Sequence, residues 1–503
     1  MGEMPHQRSD IRGMTTRRAA NTAHELAAVP AGRDRVLAVV AALRPRVPTL
    51  CLGICVATAL VVALSLYPGW FFFDSATQWG WARQIATKGL PDSLKAYGIT
   101  SHWPIFNTLL KVPFYWMTGE AGFYIFVQAA LFNISLYLLG AALLGRRSLW
   151  LVAYTLLMVW SPISVNYSVF QSSDTIVAIC TLIAVAMIVD RELGLARRSW
   201  FLIVAILMMS WVRYNALPAS FFLICLYFWS VRASFGSRRA LAWFAISLML
   251  LGGSVAAARA YEHQAYIRDS AAGGVAMRLL DASRHTDDPY VHALVDPYVA
   301  ENPALREPLT PDCYKHAGWC AQMNAAPWRD LSTAKFMHAY LHLLIHHPVV
   351  FFETNARFAM YSLGFKSRLE ATQMARTDIR PPFPAARMTF NHRRLAYFDA
   401  LQVALGAFQG LAARAGVICL LALLAACLLR RRTLIGAFIL LAVGYLGPLL
   451  LLVGTNNFRY TFPVTIVGMG VLAGACCVMI RFVVRRLLSR TRRTHPAAQA
   501  NSG

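Results

Sequence analysis

Long apolar windows recur along this chain of 503 residues and are separated by short polar segments. Two of them, 50–66 and 434–453, contain no charged residue at all. A helix needs roughly 20 apolar residues to cross about 30 Å of hydrocarbon, and several windows approach or exceed that length. A soluble protein would instead alternate polar and apolar residues at the period of a helix or a strand. The pattern predicts an all-α polytopic membrane protein.

The hydropathy pattern places about ten transmembrane helices in the chain. An even number of crossings returns the carboxyl terminus to the side of the amino terminus, so both termini are predicted to be cytoplasmic. The predicted spans are 48–67, 121–143, 149–166, 175–190, 199–217, 219–232, 240–258, 405–429, 434–453 and 461–481.

Basic residues cluster at the ends of these windows. Lys and Arg resist translocation and mark cytoplasmic segments, so the basic clusters behind the formal net charge of +24 indicate which loops are cytoplasmic. The membrane is expected to be an inner (plasma) membrane. A nucleic-acid-binding protein would gather the charges on one face. We therefore expect membrane lipids, and no nucleic acid, as partners. The clusters are Arg33, Arg35, Arg44 and Arg46; Arg146 and Arg147; Arg191, Arg197 and Arg198; Arg238 and Arg239; Arg430 to Arg432; and Arg481, Arg485, Arg486, Arg490, Arg492 and Arg493.

Composition divides the chain into five predicted regions. The first has no apolar core, so it is not a cleavable signal peptide and is expected to be a disordered basic cytoplasmic tail. The regions are this tail at 1–47, an amino-terminal transmembrane module at 48–258 that includes a first outer loop at 68–120, an extracytoplasmic domain at 259–404, carboxyl-terminal transmembrane helices at 405–482, and a basic cytoplasmic tail at 483–503.

The segment 259–404 is long enough to bury a small core of its own. Within it, Phe336, Tyr340, Leu343 and Leu344 recur at helical spacing, so the domain is predicted to be mainly helical. Its two cysteines stand in the stretch PDCYKHAGWC. An oxidising compartment favours a disulfide between Cys313 and Cys320 as a loop staple, with a pair of free thiols as the alternative.

The first outer loop carries an acid among aromatic residues, in YPGWFFFDSATQWGWARQ. Partly desolvated, Asp74 would have a raised pKa and could act as a general base; it could equally cap the helix that follows. The second half of the loop, HWPIFNTLLKVPFYWMTG, suits a helix lying in the interface, because Pro104, Lys111 and Pro113 interrupt it. His102 could bind a metal with Asp74, orient a phosphate, or cap that helix. The loop's aromatic belt is predicted to contain Trp70, Trp79, Trp81, Trp103 and Trp116.

Two arginines stand at the outer ends of apolar spans, against the charge bias. Arg213 lies in RYNALP and Arg459 in RYTFP. A phosphate is a natural partner, because the planar guanidinium binds its oxygens bidentately. The alternatives are a salt bridge to Asp74 or Asp174, or snorkelling to lipid phosphates. Asp174, in VFQSSDT, could in turn cap a helix, bind a metal or pair with an arginine.

The chain has no Gly-rich nucleotide loop, zinc-type Cys/His spacing or nucleophile elbow. A lipid-borne substrate is therefore the more economical hypothesis. In their order and placement, the motifs resemble those of the GT-C class of integral-membrane glycosyltransferases. The stretch with Asp74 is similar to the first loop of bacterial members, in which an acid is the catalytic base. "RYNALP", with Arg213, Tyr214 and Asn215, is similar to an Arg-(His/Tyr)-Asn element, and "RYTFP", with Arg459 and Tyr460, to an Arg-Tyr-x-x-Pro element.

The chain departs from this pattern at two places. Trp103 separates His102 from Pro104, and Ser173 stands where a Lys usually precedes the acid that corresponds to Asp174. The resemblance implies a GT-C-like fold and transfer of a sugar from a polyprenyl-phosphate-linked donor to an extracytoplasmic glycan, lipid or protein. His102 or a divalent cation, Mg²⁺ or Mn²⁺, could assist with the leaving phosphate. The alternatives are an O-antigen or oligosaccharide ligase, and a flippase or transporter of lipid-linked sugars.

Overall fold

A computed structural model describes the chain over residues 41–66, 73–89, 104–119, 121–190, 199–235, 237–264, 271–315, 333–366, 414–453 and 460–493. Within these residues the fold is built from helices and contains no β-strand, in agreement with the predicted all-α class. In chain order the helices are α1 (Val47–Ser65), α2 (Phe73–Lys88), α3 (Ile105–Leu109), α4 (Val112–Thr118), α5 (Gly122–Leu144), α6 (Trp150–Val159), α7 (Pro162–Ser168), α8 (Ser173–Val189), α9 (Ser199–Val212), α10 (Leu217–Phe235), α11 (Ser237–Gln264), α12 (Ala271–Ser283), α13 (Pro289–Glu301), α14 (Pro311–Lys315), α15 (Thr333–His346), α16 (Pro348–Ser362), α17 (Ala415–Leu428), α18 (Arg432–Leu441) and α19 (Phe462–Arg493).

Four helical stretches in the described residues are long and apolar enough to cross a membrane. Shorter apolar helices accompany them at five further places, so the chain is a membrane protein. The number of spans, about ten, stays a prediction. The four long stretches are Ala41–Ser65, Gly122–Leu144, Arg432–Leu451 and Phe462–Leu487.

Helix α8 lies at the centre of the bundle. It packs against α5, α9, α18 and α19, and nearly all of its side chains are buried. A helix that is apolar on every side is stable only when other helices surround it, which explains this position. Its two ends therefore mark the two ends of the bundle.

The predicted span 149–166 is two helices in the structure. α6 ends at Val159, and α7 begins at Pro162 with Ser161 as its N-cap. Pro162 has no N–H to continue the first helix, and the Ser161 hydroxyl accepts a hydrogen bond from the Ser164 N–H at 3.3 Å. Hydropathy does not register this break, so the span at 149–166 stays a prediction.

The first outer loop folds back on the bundle through α2, α3 and α4. The predicted interfacial helix is interrupted as expected: Pro104 precedes α3, and Pro113 lies in the first turn of α4. The predicted aromatic belt is only partly present among the described residues. Trp116 is exposed, whereas Trp79 and Trp81 are buried. Trp79 packs against Tyr115 and Tyr124, because α2 lies against α4 and α5.

The helices α12 to α16 enclose a second hydrophobic core that is separate from the core of the bundle. On α15, the side chains of Phe336, Tyr340 and Leu343 are buried in it, as their spacing predicts. Cys313 lies in this core and is disulfide-bonded. Cys320 is outside the described residues, so its pairing with Cys313 stays a prediction, as do the limits of the domain.

The unit formed by α12 to α16, which we call the outer unit after its predicted location, is joined to the bundle at the end of a distorted membrane helix. After α18 the backbone is π-helical at Ala442–Leu446 and again at Leu449–Val453, on either side of Pro448, which lacks an N–H. The last carbonyls of a helix have no partner within it. Arg278 donates to the Leu450 carbonyl at 2.5 Å, and the Tyr340 hydroxyl donates to the Leu451 carbonyl at 3.0 Å. Side chains of the outer unit thus cap this helix.

Candidate functional site

Arg213 lies at one end of the bundle, directly after the last residue of α9. α9 stops at Val212, Arg213 is extended (φ −155°, ψ 115°), and a 3-10 turn follows at Tyr214–Ala216. The Arg213 N–H still bonds to the Met209 carbonyl at 3.1 Å, so its backbone is held by the helix that it terminates. Its side chain is 16% exposed. A guanidinium is therefore fixed at the edge of the bundle and remains in contact with solvent.

Three polar groups orient this guanidinium. Its Nη1 lies 2.7 Å from Oδ1 of Asp174 and donates to the Ser173 hydroxyl at 3.0 Å. Its Nε donates to Oδ1 of Asn215 at 3.0 Å. The predicted residues Arg213, Asn215 and Asp174 are thus brought together. The ion pair that the sequence left open as an alternative for Arg213 is present, and it determines which way the guanidinium points.

Asp174 lies at the amino-terminal end of the central helix. Ser172 is the N-cap of α8, and its hydroxyl accepts the Asp174 N–H at 3.0 Å and donates to Oδ2 of Asp174 at 2.9 Å. The capping role considered for Asp174 therefore belongs to Ser172. The Asp174 side chain is only 1% exposed. The positive end of the helix dipole and Arg213 together stabilise its charge.

Three tyrosines complete this cluster. The Arg213 guanidinium lies over the ring of Tyr460, 4.7 Å from its centroid, and Tyr214 is partly buried in the turn. Tyr445, on the π-helical segment, is fully buried beside Asp174 and Arg213. Gly444 allows this approach: a Cβ there would stand 2.6 Å from the Cα of Ala219. The cluster is therefore built from four separate parts of the chain.

The first outer loop reaches the same end of the bundle. Phe106 of α3 packs edge-on against Trp211 near the end of α9, with ring centroids 5.1 Å apart. Asn107 of α3 donates to the Gln78 side chain of α2 at 2.7 Å. α2, whose first turn contains Asp74, is thus linked through α3 to the helix end that carries Arg213.

A buried lysine holds these loop helices together. Lys111 is fully buried, donates to Oε1 of Gln78 at 2.9 Å and to the Asn107 carbonyl at 3.2 Å, and lies over the Tyr124 ring. Salt bridges in the described part of the chain do not include it. Burial lowers the pKa of Lys111 to about 7. The Gln78 contact fixes the face of α2 one turn after Asp74.

Several predicted site residues cannot be placed from the structure. His102 and Arg459 lie outside the described residues, and of Asp74 only the backbone, in the first turn of α2, is described. Among described residues no group of three His, Cys, Asp or Glu side chains could hold a metal. Asp174 is engaged by Arg213 and Ser172, so a divalent cation would depend on Asp74 and His102 and stays a prediction.

Sequence reasoning missed three residues of this region: Gln78, Lys111 and Tyr445. Lys111 was the one that could have been found, because a charge inside an apolar stretch indicates a specific partner. Gln78 and Tyr445 carry no such signal. Their positions follow from helix packing and from the π-helical distortion.

No protein-family model and no curated protein matches this chain. Solved structures similar to it include the following two. One is the archaeal oligosaccharyltransferase AglB from Archaeoglobus fulgidus, in complex with an inhibitory peptide and a dolichol-phosphate, with a TM-score of 0.38, 13% identity and coverage of 90% of this chain. The other is ArnT from Cupriavidus metallidurans bound to undecaprenyl phosphate, with a TM-score of 0.33, 17% identity and coverage of 84% of this chain and 77% of ArnT. The chain spans about half (52%) of the AglB structure. Both TM-scores lie below 0.5, so these similarities do not determine the function of this chain.

Proposed function

We propose that the protein is a membrane glycosyltransferase that moves a sugar from a polyprenyl-phosphate-linked donor to an extracytoplasmic glycan, lipid or protein. One observation carries the proposal. The guanidinium of Arg213 is held by Asp174 and Ser173, stacked on Tyr460, and kept partly exposed at the end of a membrane helix. A phosphate at the membrane surface is the ligand that such a group fits.

The charges of this region favour an anion. Asp174 and Arg213 neutralise each other, so the α8 amino terminus adds its partial positive charge to the cluster. Arg459 precedes Tyr460 in the sequence and adds a second guanidinium to the same motif. A planar guanidinium binds phosphate oxygens bidentately, which a lysine cannot do. We assign this mode to Arg459, because Nε and Nη1 of Arg213 are engaged by Asn215, Asp174 and Ser173. The ion pair with Asp174 then orients the Arg213 guanidinium.

In the proposed reaction, Asp74 removes the proton of the acceptor hydroxyl. The acceptor oxygen forms a bond to the anomeric carbon as the bond from that carbon to the phosphate oxygen breaks, with inversion. The electron pair leaves with the polyprenyl phosphate, whose added negative charge Arg213 and Arg459 stabilise. The proton ends on the Asp74 carboxylate. His102 or a divalent cation would assist at the same phosphate.

The test uses the full chain in liposomes with a panel of polyprenyl-phosphate-linked sugars, and it measures released polyprenyl phosphate together with labelled product. We expect Asp74→Asn to abolish turnover while it leaves donor binding in place. Arg459→Ala should lower kcat by roughly 10²-fold, as the loss of one donor to a developing anion does. Arg213→Lys keeps the charge but loses the planar geometry that Asp174, Ser173 and Asn215 hold in place, so it should also lower kcat more than it weakens binding.

Glu301→Gln is a matched control, because Glu301 is an exposed acid of the outer unit. Intact transfer by Arg459→Ala would show that the phosphate role is wrong. A wild-type protein that moves the lipid across the bilayer without releasing polyprenyl phosphate, unaffected by Asp74→Asn, would indicate a flippase. A product that carries a preassembled chain would identify a ligase.

A further inference from the structure

A second site lies at the other end of the bundle. A cleft of about 1120 Å³ opens between the start of α1, the turn from α5 to α6, and the last turns of α19. Five arginines and Trp150 are among the residues that line it. The arginines are Arg44, Arg146, Arg147, Arg481 and Arg485. We call this the arginine cleft; nothing in the proposed sugar transfer uses it.

The position of the cleft follows from the central helix. Asp174 is at the first turn of α8, and Asp190, directly after its last turn, lies 3.5 Å from Arg146 in the cleft. Seventeen residues of helix, at about 1.5 Å each, put these ends about 25 Å apart. That distance is close to the thickness of the hydrocarbon layer, about 30 Å. The arginine cleft and Arg213 therefore face opposite membrane surfaces, and the basic residues assign the cleft to the cytoplasmic one.

The cleft contains more positive charge than its walls neutralise. Arg146 pairs with Asp190, and both are partly shielded, with side-chain exposures of 39% and 7%. For the other four arginines, the residues that the structure describes include no acid within salt-bridge distance. Guanidiniums that face one cleft repel one another unless an anion lies between them. The cleft is therefore suited to an anionic ligand.

The surroundings of the cleft indicate which anion. Four guanidiniums that bind in pairs match two phosphate groups. Apolar side chains are exposed beside the arginines, where acyl chains would lie and where a soluble anion would gain nothing. They are Leu43, Leu149, Val484 and Leu487. Basic pockets between membrane helices bind anionic lipid headgroups in this way.

We propose that the arginine cleft binds the headgroup of a phospholipid with two phosphates, held by Arg44, Arg147, Arg481 and Arg485 between the ends of α1, α5 and α19. Such a lipid joins the first and the last membrane helices of the chain. The proposal does not depend on sugar transfer at the opposite end.

The test measures binding of cardiolipin to the purified full chain in a neutral detergent by native mass spectrometry. The variant Arg481→Gln/Arg485→Gln removes two charges from one face of α19. Its control, Arg430→Gln/Arg432→Gln, removes the same charge from exposed positions at the same end, since Arg431 between them donates to the Ala142 and Leu143 carbonyls of α5. Each basic residue near an anionic membrane surface contributes about fivefold to affinity. We expect about 25-fold weaker binding in the cleft variant and less than about twofold change in the control.

Phosphatidylglycerol, with one phosphate, should bind more weakly than cardiolipin, and phosphatidylcholine should not compete. Arg147→Gln, in the exposed turn, gives an independent variant if the α19 pair fails to fold, and about fivefold weaker binding is expected. Equal losses in the cleft and control variants would overturn the proposal, because they would reflect surface charge alone. Pyrophosphate that displaces cardiolipin at equal concentration would also overturn it, since the site would then belong to a soluble anion.

Discussion

The ion pair between Asp174 and Arg213 gives the sharpest prediction about the site. The two side chains are 1% and 16% exposed and lie 2.7 Å apart. Removing one partner of a buried pair costs about 3–5 kcal/mol, because the other charge is left without compensation. Asp174→Asn should cost about 3 kcal/mol, at the low end of that range, since Arg213 keeps some solvent and the Tyr460 ring. Arg213→Met should cost more, towards about 5 kcal/mol, because it leaves the charge of Asp174, whose side chain is 1% exposed, without its partner.

The double variant Asp174→Asn/Arg213→Met removes both charges and should cost much less than the sum, so that the coupling energy is about 2–3 kcal/mol. Unfolding of the solubilised protein in mixed micelles, followed by tryptophan fluorescence, measures these free energies. The matched control is the cycle for Arg146 and Asp190, which sit 3.5 Å apart at the other end of the same helix and are more exposed. Its coupling should stay below about 1 kcal/mol. Equal coupling in the two cycles would refute the orienting role of Asp174.

Two further predictions concern buried ionisable groups outside this pair. The pKa of Lys111 is lowered to about 7, whereas in the unfolded chain it stays near 10.5, so stability should rise with pH above 7. Lys111→Met should remove this rise, which is worth about 2 kcal/mol between pH 7 and 9. The exposed control Lys88→Met should keep it. At the start of α13, burial alone would raise the pKa of Asp288, but hydrogen bonds from two backbone N–H groups and two histidine rings lower it to about 2. Asp288→Ala should therefore destabilise the outer unit by about 2 kcal/mol at neutral pH. This difference in stability should vanish as pH falls from 3.8 towards 2. Asp287→Ala, at an exposed neighbour, should change stability by less than about 0.5 kcal/mol. A pH scan of unfolding for each pair of variants checks both predictions.

Much of the local structure was readable from the sequence. Apolar length predicted the membrane helices, and the spacing of Phe336, Tyr340 and Leu343 predicted the inward face of α15. These features depend only on the solvent preference of side chains and on the period of a helix. The short helices around Pro104 and Pro113 were readable for the same reason, because proline acts on the backbone locally.

The predictions that failed depended on what packs against what. Trp79 reads as an interfacial anchor until α2 is seen to lie on α4 and α5. Asp174 reads as a cap until Ser172 is found in that position. The break at Pro162 is different, because it is a local effect of proline that hydropathy alone does not register.

The sequence by itself determined the membrane class, the two chemically distinct ends of the bundle and the arginines at each of them. Only the tertiary structure decided which charges are paired and which are available to a ligand. Arg213 and Asp174 are 39 residues apart in the chain, and Arg44 and Arg485 far more; helix packing brings each set together. Pairing energies depend on distance and burial, and neither quantity is a property of sequence spacing.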